Sequence, residues 1–260
     1  MDALWLTLAL RAGVTAAIVI TAAILAERAG PRWGGLVATL PVSAGPAFVM
    51  LAMQHAPGFI AEAALGSMAA NPATVFFGTI FVRLVVPYGL AVALPAGLLT
   101  WFVSILVIRS LGLGTEGVVA LNVAAHAAGI LFTRKQMAFA VGGPRVQGRA
   151  WYDLPMRAVL VGLLVASVVT ASHALGPFLS GIGAVIPITY TSLLMVVTPR
   201  QGREAAAAVM ASALRGFAGF SLGFLALHLL AVPMGSAAAM LVALAVMLAW
   251  SGGVLLVRRR

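Results

Sequence analysis

The sequence contains no cysteine and only six acidic residues in 260. The first absence excludes disulfides, thiolate metal sites and cysteine nucleophiles. Charged residues of both signs make up 8% of the chain, against about 25% in ordinary soluble domains. Lysine occurs once against fifteen arginines, a bias that fits a GC-rich bacterial genome. Long polar segments are missing too. The longest is 134–153, RKQMAFAVGGPRVQGRAWYD.

What is present is apolar. Hydrophobic residues make up 62% of the chain, and the mean hydropathy is +1.10. The apolar runs have the roughly 20 residues that a helix needs to cross a hydrocarbon core. The expected fold is an all-α polytopic membrane helix bundle with the lipid bilayer as its main partner and no separate soluble domain. The net charge of +10 then reads as topology information, not as a nucleic-acid surface. Asp2 is the only charge before Arg11, so the first run lacks the basic start of a signal peptide and is expected to stay as a span.

Nine spans are expected, at about 4–26, 34–53, 61–84, 88–108, 117–133, 154–175, 178–198, 205–231 and 234–256. With all nine crossing, thirteen of the sixteen basic residues fall on one side, among them Arg28, Arg32, Arg134, Lys135, Arg200, Arg203 and Arg258 to Arg260. Only Arg109 marks the other face. The positive side is cytoplasmic, so the expectation is a bacterial inner-membrane protein with its N-terminus outside and its C-terminus cytoplasmic.

The chain also repeats itself. GPRWGGLVATLPVSAGP at 30–46 matches GPFLSGIGAVIPITYTS at 176–192 with an offset of 146. At the same offset Trp5 matches Trp151, Arg11 matches Arg157, and VPYG at 86–89 matches VPMG at 232–235. The expected organisation is a four-helix repeat over 1–110, a linking helix and cytoplasmic loop over 111–146, and a second four-helix repeat over 147–260. The single intervening helix inverts the second copy. In inverted repeats solute sites lie near the midplane, where interrupted helices meet. Pro41 and Pro46, with Ser43 between them, and Pro187, followed by Thr189, Tyr190, Thr191 and Ser192, are the candidate helix breaks.

The stretch SGIGAVIPITYTSLLMVVTPRQGREAAAAVMASALRGF at 180–217 resembles the GlpM-like four-helix inner-membrane proteins, and GGLVATLPVSAGP in the first repeat resembles them more weakly. The resemblance implies a four-span unit and names no substrate. The four-plus-one-plus-four plan is similar to that of the drug/metabolite transporters. The first span lacks the acidic residue that the small multidrug exporters of that group use for proton coupling, which argues against a proton-coupled cation exporter.

All six acids fall at span ends or in loops. Deep positions hold Arg215, Arg11, His126 and His228, and His126 shares a helix face with Asn122 at i, i+4. A site built from Arg215, Arg11, His126, Asn122, Ser43, Thr189, Tyr190 and Ser192 would take an anionic or neutral polar solute. The alternatives are that Arg11 and Arg157 snorkel to the interface and that His126 is a packing histidine. Gly66 and Asn71-Pro72 match no catalytic pattern, and Gly216, Gly219 and Gly223 fit close helix packing. No GxGxxG, P-loop, HExxH or Ser-His-Asp arrangement occurs in a fitting context, so neither enzyme activity, a metal nor a cofactor is expected. The expected function is a small secondary transporter. The alternative is a non-transporting subunit of a membrane complex, and either could form homo-oligomers.

Overall fold

Proline and glycine punctuate the helices. The computed structural model describes residues 44–142 and 153–257, together with Gly13. Among these, eight helices follow in order: α1 Ala44–Ala52, α2 Pro57–Tyr88, α3 Leu90–Ser110, α4 Thr115–Gly142, α5 Asp153–Ala184, α6 Ile188–Gln201, α7 Arg203–Met234 and α8 Ser236–Val257. No strand occurs among the described residues. Among the described residues six stretches are long and apolar enough to cross a membrane: Pro57–Tyr88, Leu90–Ser110, Thr115–Gln136, Val159–Gln201, Arg203–Met234 and Ser236–Val254. Leu99, Phe102, Leu131, Leu163, Leu229 and Leu241 all stand exposed, as residues facing lipid would. The chain is an integral membrane protein, all-helical over its described elements.

Helix bounds repeat along the chain. α2 and α7 each have 32 residues, and Pro57 and Arg203 are 146 apart, as are Tyr88 and Met234. α3 and α8 start at Leu90 and Ser236, again 146 apart. Each pair is joined through one glycine, Gly89 at φ 80° and Gly235 at φ 82°. An L side chain disfavours that region, and Pro87 and Pro233 stand just ahead of the joints, inside the ends of the preceding helices. Gly176, at φ 75° and ψ 173°, divides α5 into two helical segments, and Pro177 follows it at the first-turn position that proline suits. The helix then stops at Ala184 and resumes at Ile188, with Pro187 in the gap.

The described residues form two compact units. The first takes in those up to Ser67, those from Asp153 to Thr189, and those from Leu222 onward. Here α1 packs on α5 and α8 through buried Ala47, Phe48 and Leu51, and Phe48 meets Phe224 at 5.5 Å between ring centroids. The start of α2 lies directly on the second segment of α5. A Cβ on Gly66 would strike the Phe178 carbonyl, and one on Gly181 would strike the Ala63 carbonyl. Ser67 Oγ donates to the Gly181 carbonyl at 2.7 Å, so the close approach also forms a hydrogen bond.

The second unit runs from Met68 to the end of α4 and adds Tyr190–Ser221. α2 is its centre. Of the most apolar window of α2, 67% is buried, against 22–39% for the other five candidate spans. α7 lies antiparallel to it: Asn71 meets Phe217, Gly78 meets Met210 and Leu214, and Val86 and Pro87 meet Arg203. The Arg203 guanidinium donates to the Val86 and Pro87 carbonyls at 3.2 and 3.4 Å, groups that the end of a helix leaves without N–H partners. α3 is held by Gly97 against Phe77 and by Trp101 Nε1, which donates to Thr74 Oγ1 at 3.2 Å. α4 is held by Gly129 against Val75.

The glycine contacts can be tested by thermal unfolding of the purified protein. Gly181→Val should destabilise it by about 1–3 kcal/mol, the usual cost of overpacking, because backbone blocks the new side chain. Gly58→Ala meets nothing within 4 Å and should leave the melting temperature close to wild type. Equal stability of the two variants would refute the close α2–α5 approach.

Candidate functional site

A proline starts a polar cluster in the second unit. Pro72 lies inside α2 and has no N–H to give the carbonyl four residues back, at Met68. A carbonyl freed at membrane depth needs another donor. Asn122 on α4 supplies it: its Nδ2 donates to the Met68 carbonyl at 2.9 Å and to the Val118 carbonyl at 2.9 Å. That uses both of its N–H groups.

The other side of Asn122 faces α2 and α7. Its Oδ1 accepts the Ser221 hydroxyl, and Ser221 Oγ in turn accepts from Asn71 Nδ2. The second N–H of Asn71 goes to the Phe217 carbonyl at 2.8 Å, with Asn122 Oδ1 a longer 3.5 Å away. Asn71 is 5% exposed and Asn122 4%, so this is a buried network joining three helices. Asn71 and Ser221 stand close to the middle of their helices, and Asn122 stands two turns into α4.

His126 completes the cluster one turn along α4 and is 7% exposed. Its Nδ1 lies 2.7 Å from the Asn122 backbone carbonyl. A carbonyl only accepts, so Nδ1 carries the hydrogen and Nε2 of the neutral ring holds the lone pair. Nε2 is buried with no hydrogen-bond partner.

The sequence candidates fall as follows. Asn122 and His126 lie together in this cluster. Tyr190 sets its ring edge-on to Phe217 at 4.8 Å, next to the backbone that Asn71 holds. Ser192 is buried on α6, and Arg215 is half-buried on α7, two residues before Phe217. Thr189 belongs to the first unit, in the first turn of α6. Pro187 stands in the gap between α5 and α6, and Pro46 lies within α1. Arg11, Ser43 and Pro41 lie outside the described residues. No group of three or more His, Asp or Glu that could hold a metal ion occurs among the described residues. Asn71 and Ser221 are the additions. Asn71-Pro72 carried the signal, since a proline inside a span frees a carbonyl and asks for a donor elsewhere.

A smaller polar cluster lies in the first unit. His55, in the connection between α1 and α2, has its Nε2 2.7 Å from Ser172 Oγ. Ser172 donates its own hydrogen to the Val169 carbonyl at 2.7 Å, so His55 is the donor of the pair. The ring stacks on Phe59 at 3.7 Å and meets His173 at 4.5 Å.

Comparison with family models, with curated proteins and with solved structures finds no match to this chain.

Two outcomes follow. Asn122→Ala strands the Met68 carbonyl and the Ser221 hydroxyl, and should cost about 1–3 kcal/mol of thermal stability. Thr100→Val, which loses only a bond to its own helix at the Ala96 carbonyl, should be nearly neutral. Burial, and then the charge of His173, holds the pKa of His55 below its ordinary 6.5. The unfolded chain therefore takes up this proton first, and stability present above about 6.5 is lost as pH falls through that value toward the lower folded pKa. His55→Gln should flatten that part of a melting-temperature-versus-pH curve, and an unchanged slope would exclude His55 as its source.

Proposed function

We propose that this chain is a small secondary transporter of the inverted-repeat type, with nine membrane-crossing helices in a bacterial inner membrane. Its N-terminus is outside, its C-terminus is cytoplasmic, and its solute is small and polar or anionic. The observation that carries the reading is the bond between Asn71 and Phe217, residues 146 apart, which is the offset of the sequence repeat. A residue that meets its own counterpart lies beside the two-fold axis relating the copies. α2 and α7 are antiparallel there, so the axis crosses the helices and runs in the membrane plane, as inverted repeats require. The matching bounds of α2 with α7 and of α3 with α8 support the same relation. The kink at Gly176 within one long apolar stretch supports reading that stretch as two spans, and the first two expected spans lie largely outside the described residues.

The site proposed is the mid-helix cluster of Asn71, Asn122, His126 and Ser221, with Arg215 and Tyr190 from α7 and α6. A helix interrupted at 185–187 is the kind of element that builds solute sites in such proteins. Arg215 is permanently charged and gives the site its preference for anions. The second reading, a non-transporting subunit, is favoured by the full use of both asparagine amides within the protein. On that reading the cluster only holds three helices together.

Because the chain has no cysteine, single cysteines report cleanly. Ala56→Cys should react with a membrane-impermeant thiol reagent added outside, and Lys135→Cys should be spared; the reverse pattern would overturn the orientation. Ser221→Cys should be reached by such a reagent from either face of the membrane in turn, whereas protection from both faces would favour the subunit. In proteoliposomes offered a panel of small organic anions, Arg215→Gln should lose uptake and Arg109→Gln should keep it.

A further inference from the structure

We infer that His126 carries the coupling proton of this transporter, taking it up at Nε2 from one side of the membrane and releasing it to the other. The inference rests on the transporter reading above. A carrier that moves a solute uphill on a proton gradient needs a group near the membrane centre that gains and loses a proton. Among the described residues the carboxylates cannot supply it. Glu116 and Glu204 stand in the first turns of α4 and α7, Asp153 opens α5, and Glu62 lies early in α2. Arg215 does not deprotonate. His228 is bound through Nδ1 to the Ala61 carbonyl at 2.8 Å, and His55 and His173 belong to the cluster beside the α1–α2 connection.

His126 meets the requirement by geometry. The Asn122 carbonyl fixes the hydrogen on Nδ1, which leaves the Nε2 lone pair buried among groups that offer it no hydrogen. The backbone carbonyls of Asn122 on its own helix and of Phe217 on α7, both uncharged, lie beside the ring. α2 contributes the neutral amide of Asn71, and α6 reaches Phe217 through Tyr190. A carbonyl beside a lone pair gives no bond. Once Nε2 gains a proton, it becomes a donor to the same Phe217 carbonyl. The only bond made is N–H; the proton comes from water on one side and returns to water on the other.

Protonation therefore changes which helix holds α7. In the neutral state Asn71 on α2 donates to the Phe217 carbonyl. In the protonated state His126 on α4 competes for it, and the released Asn71 N–H turns to Asn122 Oδ1, now 3.5 Å away. One proton thus moves a hydrogen bond from the α2–α7 contact to the α4–α7 contact, at the place where Asn71 meets its counterpart. The two arrangements of the cluster are the two states that proton coupling needs.

The test uses the full chain and the proton itself as probe. In proteoliposomes on a solid-supported membrane, a pH jump without solute should give a displacement charge that His126→Gln loses and His55→Gln keeps. In 15N-histidine spectra of the wild-type protein in nanodiscs, neutral His126 should carry its proton on Nδ1. It should gain a second, on Nε2, as the pH is lowered. The His126 signal is identified by removing the other three histidines singly, so the spectra decide even if His126→Gln does not fold. A displacement charge that survives in folded His126→Gln, a neutral proton on Nε2, or an Nε2 that takes up no proton at any pH where the protein stays folded would each overturn the proposal. If any of these occurs while Ser221→Cys is reached from both faces, the transporter stands and only the proton site is lost. If Ser221→Cys is protected from both faces, the transporter reading fails first.

Discussion

The structure depends on what becomes of one carbonyl. Pro72 withholds the N–H that Met68 would otherwise receive, and water cannot replace it in the interior of an apolar helix bundle. Asn122 fills the gap from α4, and once placed it needs a donor for its own oxygen. Ser221 supplies that donor from α7, and Asn71 ties Ser221 and the Phe217 backbone back to α2. One missing hydrogen bond is thus passed around three helices until every amide hydrogen is used. The atom left over is Nε2 of His126.

Around this cluster the protein is packed by small residues. Gly66 and Gly181 bring α2 onto α5 in one unit, and Gly78, Gly97 and Gly129 admit Met210, Phe77 and Val75 in the other. Membrane helices gain little from burying apolar surface against one another, because lipid is equally apolar. Close backbone approach and interhelical hydrogen bonds contribute instead. Ser67 on the Gly181 carbonyl shows both in one contact.

Much of the fold was legible in the sequence because it depends on local rules. Apolar runs of spanning length anticipated α2, α3, α4, α7 and α8, and VPYG and VPMG, matched at the 146-residue offset, fall where Gly89 and Gly235 form joints at nearly equal φ. Asn122 and His126 drew attention because i, i+4 spacing is a local relation, and they do lie side by side. Ser221 drew none, since it meets Asn71 across 150 residues of sequence and alone is an ordinary polar residue in an apolar helix. Gly66 stood out without a partner: what it contacts, the Phe178 carbonyl, belongs to another helix. The sequence marked Asn71-Pro72 as unusual, but only the fold names the donor that Met68 receives.

The central claim is that two four-helix copies are related by a two-fold axis in the membrane plane, passing between Asn71 and Phe217. The most direct measurement is an experimental structure of the full chain in a lipid bilayer, with the second copy rotated onto the first. The account predicts that residues 7–43 superpose on Asp153–Thr189, with the chain breaking at Pro41 where it breaks at Pro187. A straight helix through Pro41, or an axis along the membrane normal, would contradict it.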